Sequence, residues 1–113
     1  MIEKYSFGSI TIDGQTYHYD VEVRGGGEVL KWQRATSHII DVADVTRAVE
    51  QNPSVIIIGT GESGVAQVTE AAQNLIKEKN IELIIDWTAA AIDQFNQRQK
   101  TTKNIIGLFH LTC

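Results

Sequence analysis

The stretch IIIGTGESG, residues Ile56 to Gly64, sets Gly59, Gly61 and Gly64 in G-x-G-x-x-G spacing directly behind an apolar run. That spacing serves one of two purposes. Between a strand and a helix, it lets backbone N–H groups and the positive end of the helix dipole hold a pyrophosphate. Otherwise the glycines shape a tight turn, Gly59 and Gly61 through positive φ and Gly64 through close helix–sheet packing, with no ligand. For the first purpose, a helix is expected from about Val65, and Asp86 closes the next strand where a ribose-binding carboxylate would stand. Against it, Glu62 puts a negative charge at the helix entrance, where such a charge interacts with the terminus by about 0.3–1 kcal/mol. No Lys or Arg lies in the loop or the first turn beyond it, and only one βαβ unit is visible where a dinucleotide fold uses two halves. The turn outweighs the dinucleotide. A small anion or polar metabolite on the loop, touching Gly59, Thr60, Gly61, Glu62 and Gly64, stays open.

Trp32, Arg34 and His38 form a second group. Trp and Arg are favoured in interface hot spots, so the three could make a surface patch that binds a ligand or a partner. Their plainer roles are a Trp packed on the sheet edge, an Arg34 paired with Asp20 or Glu22, and a His38 that caps a helix. His110 and Cys113 are three apart on an expected strand, so their side chains point to opposite faces. Cys113, beside Phe109 and Leu111, reads as a buried, inert thiol, and His110, beside Ile106 and Leu108, as a hydrogen-bonded core histidine. The three histidines lack metal-ligand spacing. Asp41, Asp44, Glu78 and Glu82 read as caps and solvated positions. No catalytic residue, metal or cofactor is expected. Thr88 reads as the cap of the last helix; if that helix start faces the glycine loop, Glu62, Thr88 and Arg34 would border a polar crevice at the carboxyl edge of the sheet.

The elements that must position these groups differ between the two halves. Tyr5–Ile12 and Tyr17–Val23 alternate with period two around the Asp13–Gly14 turn, a strong hairpin signal. The alternation puts Tyr17, Tyr19, Val21 and Val23 on one face and His18, Asp20, Glu22 and Arg24 on a wet one. Gly25–Gly27 turns the chain into a third strand at Val29–Gln33. From Asp41, a helix cap, the pattern becomes α/β. Helices are expected over Val42 to about Gln51, about Val65 to Lys79 and Thr88 to about Lys100, with strands at Val55–Ile58, Ile81–Ile85 and Ile105–Thr112. Val55–Ile58, apolar on both faces, reads as a central strand, parallel to the strand that follows its helix.

The 113 residues suit one domain spanning 1–113, with 42% apolar and 21% charged side chains typical of a globular chain. A net charge of -4 argues against nucleic acid and acidic membrane surfaces as partners. One cysteine permits no internal disulfide, and no leader or membrane span is visible, so a cytoplasmic location is expected.

The motif order, IDG, then Tyr17-x-x-Asp20-Val21, Trp32-x-Arg34-x-x-x-His38, Ile57-Ile-Gly-Thr-Gly61, Thr88-x-x-Ala91 and a closing LFHLTC, resembles a family of small domains. That family includes the adipogenesis-associated domain-containing protein and a mitochondrial complex I assembly factor. The resemblance implies an α/β fold of three layers, two β and one α, with the antiparallel meander packed on a mixed central sheet, helices on one side and the last strand antiparallel. It also implies no established enzymatic activity and a role in assembly or differentiation; a mitochondrial role is not carried over. The expectation is a non-enzymatic binding or assembly domain acting on an unknown protein partner, with homo-oligomerisation through edge strands of the meander open. The alternative is a small-molecule or anion site, or a catalytic one, at Gly59–Gly64.

Overall fold

Asp13 and Gly14 both take positive φ, 48° and 83°, which is what a two-residue hairpin turn demands and why Asp-Gly supplies it. In the computed structural model, which describes all 113 residues, this turn joins β2 (Ser9–Ile12) to β3 (Gln15–Tyr17). β1 (Ile2–Ser6) lies antiparallel on the other side of β2, so the chain already reverses at Phe7–Gly8, inside the stretch expected to be one strand. The second expected strand is also cut. Tyr17 ends the three-stranded sheet, and β4 (Val21–Arg24) belongs to another. The cause is Asp20, whose carboxylate is drawn off to the Leu111 N–H and to Arg34 and His110 at the corner between the two sheets.

The larger sheet has the order β5-β4-β10-β7-β9, with β5 at Val29–Lys31, β7 at Val55–Thr60, β9 at Glu82–Asp86 and β10 at Ile105–His110. β10 runs parallel to β7, as β7 does to β9, and antiparallel only to β4. The last strand is thus antiparallel to just one neighbour, not to the sheet at large. β7 and β10 are buried along their whole length, so both faces of the sheet must be covered.

They are covered by different elements. Ile56, Ile58, Ile106 and Leu108 point to α1 (Val42–Val49) and α2 (Glu70–Glu78), packing on Val45, Val49, Ala72 and Ile76. Val55, Ile57, Ile105 and Phe109 point the other way, to α3 (Thr88–Gln99) and the small sheet, packing on Phe95, Ile92, Ile2 and Ile10. The α/β class, three layers, antiparallel meander and mixed sheet are those expected, but the helices lie on both sides. Chain direction explains this. From β7 the path moves outward to β9 and then back past β7 to β10, and right-handed crossovers in opposite directions place their helices on opposite faces.

Helix starts decide the rest. Asp41 caps α1 as expected: its side chain accepts from Val42 N, while Asp44 reaches back to the Asp41 N–H. α2 begins at Glu70, not near Val65. Thr69 caps it, accepting from Ala72 N at 3.1 Å and donating to Asp41 Oδ1 at 2.8 Å, so one hydroxyl ties the two caps. Before it, β8 (Gln67–Val68) pairs in parallel with β6 (Ile39–Ile40).

Candidate functional site

The glycine bend closes on itself. Gly61 has φ +109°, and a Cβ there would stand 2.6 Å from the Thr112 carbonyl oxygen and 2.7 Å from that of Cys113. Gly64, φ +68°, lies against the Trp87 indole with no room for a Cβ, and a Cβ on Gly59 would meet Thr88 Oγ1 at 2.8 Å. Gly61 and Gly64 therefore carry the positive φ, Gly59 remaining a strand residue, and all three glycines permit close approach. Four amides of the bend are engaged inside the protein: Gly61 N–H donates to Thr88 Oγ1 (2.8 Å), Glu62 N–H to Thr112 O, Gly64 N–H to Gly61 O and Ala66 N–H to Thr60 O. Thr60 Oγ1 donates to Asp86 O. Because α2 starts only at Glu70, the helix that follows the loop does not begin on it; the helix start beside the bend is that of α3, whose Trp87 lies on Gly64 and whose Thr88 bonds Gly61. The strand–loop–helix arrangement that made a pyrophosphate site conceivable is absent.

Thr88 is the first residue of α3, not its cap. Its buried hydroxyl accepts from Gly61 N–H and donates to His110 O at 2.6 Å, fastening the bend to the end of β10.

At that end of β10 the structure gathers one dense polar cluster. Arg34 Nη1 donates to the carbonyls of Thr36 (2.8 Å) and Ser37 (2.9 Å), and Nη2 donates to Asp20 Oδ2 at 2.7 Å. His110 Nδ1 lies 2.8 Å from the same carboxylate oxygen and 2.7 Å from Nη2. A lone pair on Nδ1 would face a carboxylate, so the proton is assigned to Nδ1 and is donated to Asp20. Burial raises the Asp20 pKa, but hydrogen bonds from His110, Arg34 and the Leu111 N–H outweigh it and hold the carboxyl below its ordinary 3.8. Arg34 Nε is buried without a partner. Outside the cluster, Asp20, Arg34, Ala35, Thr36 and Ser37 border an open cavity of about 200 Å³.

His110 Nε2 stands 3.5 Å from Thr112 Oγ1. That completes an acid–imidazole–hydroxyl sequence on paper, but the last step is longer than the 2.6–3.2 Å of a working nucleophile–base pair. The cluster instead joins four segments: the β3–β4 corner, the Arg34 loop, β10 and the residues after it.

The sequence-derived groups are thus redistributed. Arg34 pairs with Asp20, one of the two acids expected. Trp32 is buried, its Nε1 donating to Asp44 O at 2.9 Å and its ring 5.0 Å from the Arg34 guanidinium carbon, so it is not part of an exposed patch. His38 is exposed and caps no helix; its carbonyl accepts from Gln67 N–H. Glu22, placed on a wet face by alternation, is 1% exposed and clasped by Arg24 and Arg47. Cys113, read as buried, is exposed, because β10 stops at His110. No three His, Cys, Asp or Glu side chains come together as a metal-holding group. Asp20 and His110 lie within expected strands and Arg34 just after one, and no local spacing in the sequence brings the three together.

A different surface is apolar. Trp87 is 59% exposed, with Ile85 exposed on the outermost strand beside it and Val65 exposed next to Gly64.

Fold and site together define a three-layer α/β domain locked at one sheet end by a buried Asp–Arg–His cluster. The chain belongs to the family described as a protein of unknown function (DUF498/DUF598), whose model matches residues 2–110. Among solved structures, the conserved hypothetical protein PH1505 from Pyrococcus horikoshii OT3 is 23% identical with a TM-score of 0.89, covering 100% of this chain and 99% of its own. The protein named MT938 is 24% identical with a TM-score of 0.84, covering 100% and 98%. A protein described as an outer membrane protein from Bartonella henselae is 20% identical with a TM-score of 0.84, covering 99% and 94%. At these identities the likeness shows the fold. No helix here is long and apolar enough to cross a membrane.

Proposed function

We propose that this chain is a non-enzymatic binding or assembly domain that works through contacts with a protein partner. The observation that carries the reading is Trp87, a large indole held 59% exposed against Gly64 on a molecule whose buried polar groups are largely matched to one another. Trp leads the residue types that dominate interface energetics, and apart from its contact with Gly64 most of this side chain is left uncovered. Asp20, Arg34 and His110 bond to each other and to backbone, which suits a lock better than a reacting centre.

The rival, an anion or metabolite site at Gly59–Gly64, is weakened because the amides of Gly61, Glu62, Gly64 and Ala66 already have acceptors. The kinship with adipogenesis-associated and complex I assembly domains belongs to the same proposal and rests on motif order alone. So does a cytoplasmic location, which the single cysteine favours.

A thermal-shift panel of nucleotides, phosphate esters and metabolites separates the two, since a ligand at 100 times its Kd adds about 2.7 kcal/mol of stability. A silent panel, with a partner recovered by affinity capture and lost on Trp87→Ala, is the expected result. A metabolite that raises the midpoint, with an effect that changes on Glu62→Ala, would overturn the reading.

A further inference from the structure

Sheet edges are where this molecule can be extended, and they are not equally protected. β1 carries Lys4 and an irregular register between Ile2 and Lys4. β3 and β5 are three residues long, and β5 ends in exposed Lys31. Short strands, lysines and bulges are the usual devices that keep an edge from pairing. β9 has none of them. It is five residues long, regular in register along β7, and outermost in the central sheet.

Its hydrogen-bonding groups can be assigned. Glu82 N–H donates to Ser54 O, and Asp86 O accepts from Thr60 Oγ1, so both residues present their backbone inward to β7. Alternation then turns the N–H and C=O of Leu83 and Ile85 outward, where the sheet offers no partner. The side chains alternate too. Ile81 and Leu83 join the α2-side core, and Ile85 and Trp87 continue that row with increasing exposure, while Ile84 packs on the α3 side.

From this geometry we propose that β9 pairs antiparallel with β9 of a second copy of this chain, about a two-fold axis at Ile84. In that register Leu83 and Ile85 of one copy exchange backbone hydrogen bonds with Ile85 and Leu83 of the other. On the α2 face every cross-strand pair is apolar: Leu83 with Ile85, and Ile81 with Trp87. Opposite-facing like charges would oppose the pairing, since Glu82 meets Asp86 of the second copy. But Glu82 is already held by both Arg98 nitrogens at 2.6 and 3.0 Å, so the acid that Asp86 faces is neutralised. The strand is self-complementary, and the second copy is the occupant its pattern selects.

Sedimentation velocity of the purified chain from micromolar to millimolar concentration tests this. The expected result is a concentration-dependent dimer whose Kd rises about a hundredfold or more in Ile85→Lys, where each ammonium would be buried against Leu83 of the other copy. Ile85 is 40% exposed in the monomer, so a native circular dichroism spectrum accompanies the loss. Should Ile85→Lys fail to fold, Ile84→Cys in a Cys113→Ser background reads the register directly. Opposed residues of a non-hydrogen-bonded pair stand about 4.5 Å apart, within disulfide reach, so mild oxidation should link two chains. A chain monomeric throughout, a dimer indifferent to Ile85→Lys, or an uncrosslinked Ile84→Cys dimer would each overturn the proposal. The inference stands apart from the partner-binding reading, which survives if a strict monomer still captures a partner through Trp87.

Discussion

Asp20 is the residue on which the most of this molecule converges, since its two oxygens take hydrogen from Leu111 N–H, Arg34 and His110. Its carboxyl is held below 3.8, so its share of stability is present above that pH and is lost as pH falls through the lower, folded value. Urea midpoints should therefore be insensitive to Asp20 above about pH 5 and decline below about pH 4; in Asp20→Asn that part of the acid sensitivity should be missing. Asp20→Ala is harsher. It leaves Arg34, 4% exposed, as a buried cation without its counter-charge, and should cost about 3–5 kcal/mol in urea unfolding at pH 7. A loss under 1 kcal/mol would mean that water relieves the guanidinium. The pairing of Arg34 with an acid was readable from residue types. His110 was readable only as a core histidine, because its membership depends on the β3–β4 corner and on Leu111, a contact between opposite ends of the chain.

At the scale of elements, Thr88 shows how a helix start is used to fasten strands. Its hydroxyl joins Gly61 at the end of β7 to His110 at the end of β10. Thr88→Val keeps the shape but leaves a buried N–H unpaired, and should lower stability by about 1–3 kcal/mol, with Thr88→Ser close to wild type. If Thr88→Ser loses stability and Thr88→Val does not, the methyl group and not the hydroxyl matters. Element boundaries were legible where a side chain announces them, as Asp41 does for α1 and Asp13–Gly14 does for the hairpin. They were illegible where periodicity misled: Val65, Val68, Ala72, Leu75 and Ile76 fit one helical stripe, yet Val65 is exposed and Val68 belongs to β8. Thr69, a good cap residue four positions on, held the information that the apolar spacing hid. The placement of helices on both faces followed from strand order, which no local pattern encodes.

For the whole molecule, one sheet separates two cores of similar size, Phe95 against Phe109 on the α3 side and Ile76 with Ile56 and Ile58 on the α2 side. Every residue of β7 and β10 is buried, and these strands contribute to both cores at once, so neither side can lose its packing without exposing the back of the other. That predicts a single cooperative transition. Trp32, buried among the α1/α2 residues, reports one side by fluorescence, and its urea curve should coincide with the circular dichroism curve of the whole chain. Phe95→Ala should cost about 3–5 kcal/mol and Ile76→Ala about 2–5 kcal/mol, each shifting both probes together. Because these side chains belong to separate cores with no shared partners, the double variant should sum the two losses to within about 0.5 kcal/mol. A fluorescence transition that moves with Ile76→Ala but not with Phe95→Ala would divide the chain into two units, with the sheet as a partition between them and not a shared wall.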